Sequence, residues 1–153
     1  LPYINLKLIT TAPSVLRGTD GILPMILNTL YIIVITLLIA TPIGIGAAIY
    51  LNEYAKSTNK LVKMIEFTIV TLAGIPSIIY GLFGFMFFVT FLKLSMSILA
   101  GALTLTIITL PIIIRTTQEA LKTVPEQYRD GALALGAPKS YMIKTILIPS
   151  AMT

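Results

Sequence analysis

The sequence predicts an all-α fold, a polytopic transmembrane helical bundle. Three observations carry this. Of 153 residues, 56% are hydrophobic and only 11% charged, against roughly 25% charged in a soluble domain. Mean hydropathy is +0.94. The few charges are clustered: the stretches 21–52, 67–92 and 94–114 contain no Asp, Glu, Lys or Arg. Each exceeds the roughly 18–20 residues that cross a bilayer as a helix.

The composition also narrows the chemistry. There is no Cys and no His, which removes thiol nucleophiles, disulfides, imidazole bases and the usual zinc or haem ligands. Of the six carboxylates, none falls inside a charge-free stretch, so a membrane-embedded hydrolase or metalloprotease has almost nothing to work with. The net charge of +5 is read as Lys and Arg in cytoplasmic loops rather than as nucleic-acid binding.

Taken in order, residues 1–22 are expected to form an external, turn-rich segment containing Pro2, Pro13, Ser14 and Gly18. The first span is placed at 23–51. It is long for one crossing, which calls for tilt or a kink. Pro42 cannot donate to its i−4 carbonyl, and with Gly44 and Gly46 it supplies that kink. Residues 52–66 form a loop in which Glu53, Lys56, Lys60, Lys63 and Glu66 recur every three or four positions and so share a helical face. The second span, 67–92, is interrupted by Gly74 and Pro76 and is rich in Phe towards its end (Phe83, Phe85, Phe87, Phe88, Phe91). Lys93 is an external turn and interfacial anchor, the third span is 94–114, residues 115–144 form a charged loop, and 145–153 begin a fourth span.

Orientation follows from Lys and Arg. The 52–66 and 115–144 loops lie on one side and hold eight of them, whereas the other side has Lys7, Arg17 and Lys93. The two loops are therefore expected in the cytoplasm. An external N-terminal segment with no signal peptide, a first residue Leu1 and an apolar stretch just begun at Thr153 lead us to expect a fragment of a longer permease-like chain.

The 115–144 loop carries most of the information. Thr123-Val-Pro-Glu126 has the pattern of a capping box with Pro125 in the first turn. A helix over 124–135 should follow, ended by Gly136 as its C′ residue, with Pro138 opening the next helix. Tyr128, Ala132 and Leu135 fall on one apolar stripe. Gly131, Ala132 and Ala134 are small enough to let another backbone approach, which reads as a docking element. Gly131-x-x-x-x-Gly136 is not a P-loop, because Ala137-Pro138 stands where the phosphate-reaching Lys is required and no buried strand precedes it.

These residues resemble the EAA loop of ABC importer permeases, E-A-A, three residues, G, nine residues, I-x-L-P. Asp130-Gly131-Ala132 is followed by Leu133-Ala134-Leu135 and Gly136, then by 137–145, then by Ile146-Leu147-Ile148-Pro149. Asp replaces Glu, Gly replaces Ala and Ile148 replaces Leu. The resemblance implies a coupling helix seated in a groove of an ATPase subunit, with Asp130, Gly131, Ala132, Ala134, Gly136, Ile146 and Pro149 as coupling residues. A wider resemblance, to the PstA-type permeases of phosphate-specific ABC importers, covers Pro42-IGIGAAIYLNEYA-Lys56, Leu72-AGIPSIIYGLFG-Phe85 and Leu110-PIIIRTTQEALKTVPEQYRDGALALGA-Pro138. The partner permeases of the PstC type are similar around the same loop, but Arg115-Thr-Thr-Gln-Glu119 looks more like the PstA type.

The resemblance implies an ABC importer permease fold of six helices, of which this chain holds the second to fourth and the start of the fifth. It implies a multi-pass, non-catalytic subunit in the cytoplasmic (inner) membrane of a prokaryote, moving inorganic phosphate by alternating access. Its partners would be an ATP-binding cassette ATPase dimer, a PstC-like permease and an external phosphate-binding protein. No cofactor would be bound by this chain, with ATP and Mg on the ATPase. Pro42, Gly74 and Pro76 would be hinges.

Several residues keep two readings. Arg115 and Glu119 form a helix-end ion pair with positive-inside anchoring, or they attract an oxyanion at the inner mouth and serve the gate. Gly74-Ile-Pro-Ser77 is a packed kink, or a broken helix whose freed backbone, Ser77 or Tyr80 contacts phosphate. Asn28 and Thr29 meet the solute or cap the first span. The Phe cluster is read as packing or lipid contact. The spans carry no charge, which fits a weak polar path fed by a binding protein. Two alternatives stand beside this one: an ABC permease for sulfate, molybdate or an amino acid, and an ATP-independent carrier or channel. The latter class usually places ionisable groups in its spans.

Overall fold

The computed structural model describes residues 10–13, 21–55 and 58–151. Among them every regular element is helical. The expectations for Pro2, Lys7, Ser14, Arg17, Gly18 and Lys56 lie outside the described residues. Helix α1 is Leu23–Ile49, and its last turn widens into a π-helical stretch, Tyr50–Tyr54. Helix α2 is Lys60–Ala73, and α3 is Ser77–Gly84, continued as a π-helical stretch over Phe85–Phe91. Helix α4 is Ile98–Thr123 and α5 is Glu126–Ala134. Helix α6, Lys139–Met142, passes through a π-helical stretch, Ile143–Leu147, into α7, Ile148–Ala151. Two stretches, Leu23–Tyr54 and Ile98–Thr123, are each long and apolar enough to cross a membrane, and α2 with α3 makes a third if the broken pair is one span.

The break at 74–76 is where the sequence placed it. Helix α2 ends on Gly74, whose amide turns back to Thr71 O and Leu72 O, and α3 restarts at Ser77. Pro76 lacks the N–H that a continuous helix would need. At its other end α2 starts earlier than the apolar pattern required. Asn59 Oδ1 accepts from the Leu61 amide at 3.0 Å and caps the helix, so residues 60–66 are helical, with Lys60, Lys63 and Glu66 all exposed. Helix α1 runs unbroken through Pro42. Gly44 serves a close approach there: a Cβ on it would lie 2.6 Å from Ile113 Cγ2. The turn before α4 is longer than Lys93 alone. Lys93 and Ser95 both adopt positive φ, 53° and 56°, and the Ser97 side chain receives the Ala100 amide as the helix begins.

The chain forms two compact units. The first combines the described residues up to Ile39 with Ile78–Thr106. Its buried polar contact is Thr36 Oγ1 donating to Ala102 O at 3.3 Å. Phe87 stacks on Phe83 and Phe91 and meets Phe88 edge-on. Only Phe88 of that group is buried, so the ring cluster is mostly surface, as lipid-facing packing would have it. Gly84 lies against Thr104 so tightly that a Cβ would fall 2.2 Å from its Oγ1 and 2.8 Å from its Cβ. Gly84→Val is therefore expected to force α3 from α4 and to cost about 1–3 kcal/mol. Thermal unfolding of the purified protein would show it, and Thr104→Gly in the same chain should recover part of the loss.

The second unit combines the described residues of Ala40–Ser77 with those from Ile107 onward. It has two apolar clusters. Ala48, Leu51, Val62, Ile69 and Ile114 join α1, α2 and α4. Leu121, Val124, Ala132, Met142, Ile143 and Leu147 join the end of α4 to α5, α6 and the π-helical stretch after it. This second cluster is the seat of the short helix that the sequence marked for docking.

Candidate functional site: a short docking helix and its seat

Helix α5 begins differently from the capping-box expectation. Thr123 is still the last residue of α4, where its hydroxyl donates to Ala120 O at 2.8 Å, and it does not stand at the N-cap of the next helix. Pro125 occupies the N-cap with extended ψ of 142° and no side-chain cap. Its carbonyl accepts from Tyr128 N at 3.1 Å. The far end is a Schellman closure: Gly136 N donates to Leu133 O at 3.0 Å and Ala137 N to Ala132 O at 3.1 Å. Gly136 supplies the left-handed residue at φ 76°. A Cβ there would meet nothing within 4 Å, so the constraint on Gly136 is conformational. Gly136→Val is expected to cost about 1–2 kcal/mol, and Gly136→Asn less because Asn tolerates that region. Equilibrium unfolding of the three proteins would rank them.

The residues singled out from sequence divide between two faces. Asp130, Gly131, Ala134 and Gly136 are exposed, and Gly131 leaves open space where a Cβ would stand. Leu133 and Leu135 are exposed beside them, Leu135 at 90%. Ala132 instead faces inward at 6% exposure, packed in the cluster with Leu121, Val124 and Met142. Tyr128, Ala132 and Leu135 therefore do not act as one stripe: Ala132 faces in, while Tyr128 and Leu135 face out. Ile146 packs partly buried against the same cluster, and Pro149 is exposed in α7. The exposed side mixes the small Gly131 and Ala134 with Tyr128, Leu133 and Leu135, and an apolar cluster lies beneath.

What anchors this helix was missed from sequence. The Arg129 guanidinium sits between three groups. Its Nε and Nη2 donate to Glu53 Oε1 at 3.3 and 3.2 Å, its Nη2 also to Leu121 O at 2.9 Å, and its Nη1 to Val124 O at 3.0 Å. Carbonyls near the end of α4 that have no intrahelical partner thus gain a cationic donor. The Glu53 side chain is 6% exposed and that of Arg129 19%, and Asn52 Nδ2 gives Glu53 Oε1 a further hydrogen bond of 2.8 Å. Lys139 reaches back as well, donating to Glu53 O and lying 5.1 Å from the Tyr54 ring centroid. The sequence signal was weak. Glu53 read as one member of a charged helical face, and nothing in its spacing tied it to residue 129.

The other candidates belong to other elements. Arg115 Nε and Glu119 Oε1 form a 2.8 Å ion pair within α4, with both side chains more than half exposed. Ser77 is exposed at the first residue of α3, whereas Tyr80 is buried. Thr29 is interior to α1 and bonds back to Met25 O at 2.8 Å, so it does not cap the helix. Asn28 lines a groove of about 550 Å³ in the first unit, together with Gly81, Ser97 and Thr104. Among the described residues no group of His, Cys, Asp or Glu could hold a metal ion.

Apolar helices of membrane-crossing length, with a short glycine-terminated helix set on an apolar cluster, define a helical membrane protein. Residues 40–153 match the family described as binding-protein-dependent transport system inner membrane component, and the chain belongs to that family. It is 38% identical over 149 residues to the probable ABC transporter permease protein YqgI of Bacillus subtilis (strain 168), covering 97% of this chain and 50% of that protein. It is 38% identical over 153 residues to the phosphate transport system permease protein PstA of Xylella fastidiosa (strain Temecula1), covering 99% and 52%. It is 43% identical over 142 residues to the phosphate transport system permease protein PstA homolog of Mycoplasma pneumoniae, covering 88% and 22%. The chain spans about half the length of the first two relatives and less of the third. No solved structure matches. The protein is a helical membrane protein of the cell membrane.

Proposed function

We propose that this chain belongs to the permease subunit of an ATP-driven importer that moves inorganic phosphate across the cytoplasmic (inner) membrane of a prokaryote by alternating access. The chain does no bond chemistry and binds no cofactor. ATP and Mg belong to a separate ATPase dimer, a PstC-like subunit completes the pathway, and an external phosphate-binding protein supplies affinity. The observation that carries this reading is α5. Its outer side is exposed, with the small Gly131 and Ala134 beside Asp130, Leu133 and the following Leu135 and Gly136, as docking in an ATPase groove would require, while Ala132 fastens its inner face. The 52–66 and 115–144 segments would then face the cytoplasm. The choice of phosphate is supported by relatives named as phosphate transport permeases.

A cross-link tests the coupling. Ala134→Cys in the full-length permease, co-expressed with its ATPase carrying a groove cysteine, should give a disulfide whose yield changes with ATP. Absence of any cross-link in a folded, membrane-inserted complex would count against the docking role of α5 and bring the ATP-independent carrier or channel forward. Uptake of labelled phosphate, competed by sulfate, molybdate or an amino acid, settles the solute. Competition by phosphate alone is the expected result, and inhibition by another solute would reassign it.

A further inference from the structure

We infer that Arg129 and Glu53 form an intrachain latch that makes α5 and the end of α1 move as one body, so that Arg129 is a positioning residue for coupling. The inference rests on the importer reading above, and adds to it how motion would leave the docking helix. The apolar seat alone gives α5 a modest grip, because the side chain it contributes to that cluster is the single methyl of Ala132. The polar grip is stronger and directional. One guanidinium holds Glu53 beyond α1, Leu121 O in the last turn of α4, and Val124 O in the link to α5. A planar fork fixes orientation as well as distance, which an ammonium on a flexible stem does not.

The surroundings point the same way. Asn52 holds the Glu53 carboxylate from its own segment. Lys139, from the far side of the Gly136 closure, holds the Glu53 backbone carbonyl and rests on Tyr54. Both ends of the docking loop therefore converge on residues 52–54. Those residues are π-helical, a local widening often found at functional sites. The remaining ion pair among the described residues, Arg115–Glu119, lies within one helix and joins nothing to anything else. A polar recess of about 330 Å³ lined by Asn52, Glu53, Lys122, Val124, Glu126 and Arg129 opens beside the latch.

The test uses the full-length permease assembled with its ATPase and partner subunits in proteoliposomes. The readouts are ATPase stimulation by solute-loaded binding protein, solute uptake, and assembled yield. Arg129→Lys and Glu53→Gln are expected to assemble and to keep basal ATPase activity, but to lose about fivefold or more of the stimulation, since coupling factors run from roughly 5 to 150. The chain has no cysteine of its own, so Glu53→Cys with Arg129→Cys can be bridged by a short bis-methanethiosulfonate linker once cysteines elsewhere in the complex are replaced. Bridging should restore stimulation, and reductant should abolish it again. Variants that couple like the wild type would overturn the latch alone. So would losses that track assembled yield, with bridging raising only that yield, since the pair would then be merely structural. If the wild type responds to another solute than phosphate, the substrate assignment falls and the latch is judged unchanged with that solute. A wild type that no loaded binding protein stimulates overturns the importer reading, and the latch with it.

Discussion

Arg129→Ala is expected to destabilise the protein by roughly 2–4 kcal/mol, between the cost of an unsatisfied buried polar group and that of stranding one partner of a fully buried ion pair. The reason is what it leaves behind. The Glu53 side chain is 6% exposed; among the described residues its carboxylate would keep only the Asn52 hydrogen bond, and Leu121 O and Val124 O would lose the guanidinium. Arg115→Ala makes the comparison. That residue belongs to an ion pair within one helix and more than half exposed on both sides, where such a pair contributes about 0.3–0.5 kcal/mol. Thermal or denaturant unfolding of both variants should separate them clearly. The double variant Arg129→Ala, Glu53→Ala should recover much of the loss, because no stranded charge remains. Equal small effects for Arg129 and Arg115 would mean that water reaches Glu53 freely.

Leu147→Ala is the second large effect, expected at about 2–5 kcal/mol. Leu147 is 0% exposed and packs with Leu121, Val124, Ala132, Met142 and Ile143. Truncating it removes the floor beneath α5 without touching the exposed face of that helix. The neighbours are tied to helices at both ends, so the space can close only partly. Hydrogen exchange of the 126–134 amides should quicken in this variant and remain unchanged in Leu135→Ala, whose side chain is 90% exposed. If Leu147→Ala left both stability and exchange unaltered, the cluster would not be the seat of the helix.

Much of the fold was legible because it depends on local rules. Charge-free stretches require helices in a bilayer, since every backbone polar group must be satisfied within the segment. Gly74-Ile-Pro76 breaks the helix between α2 and α3, whereas Pro42 and Pro111 stay inside α1 and α4. Gly136 takes the left-handed conformation that ends α5, because almost any other residue there is strained. The spaced loop motif led to the family that the matched region then showed.

What the sequence could not decide depended on which distant groups meet. Thr123 reads as a cap but is held inside α4 by its own back-bond to Ala120 O, a choice between two local partners that helix length settles. Ala132 reads as part of a docking stripe but is turned inward by the cluster from α4, α6 and the stretch after it. Lys60–Glu66 reads as a loop but is helical, because Asn59 caps it and Val62 and Ile69 pack against α1 and α4. Composition and spacing by themselves determined a helical membrane protein with one charged, glycine-punctuated loop. Only the tertiary structure decided which face of that loop is exposed, and which residues hold it. Residues 53 and 129 are far apart in sequence and carry no shared pattern. A buried charge finds its partner through packing, and no periodicity records that.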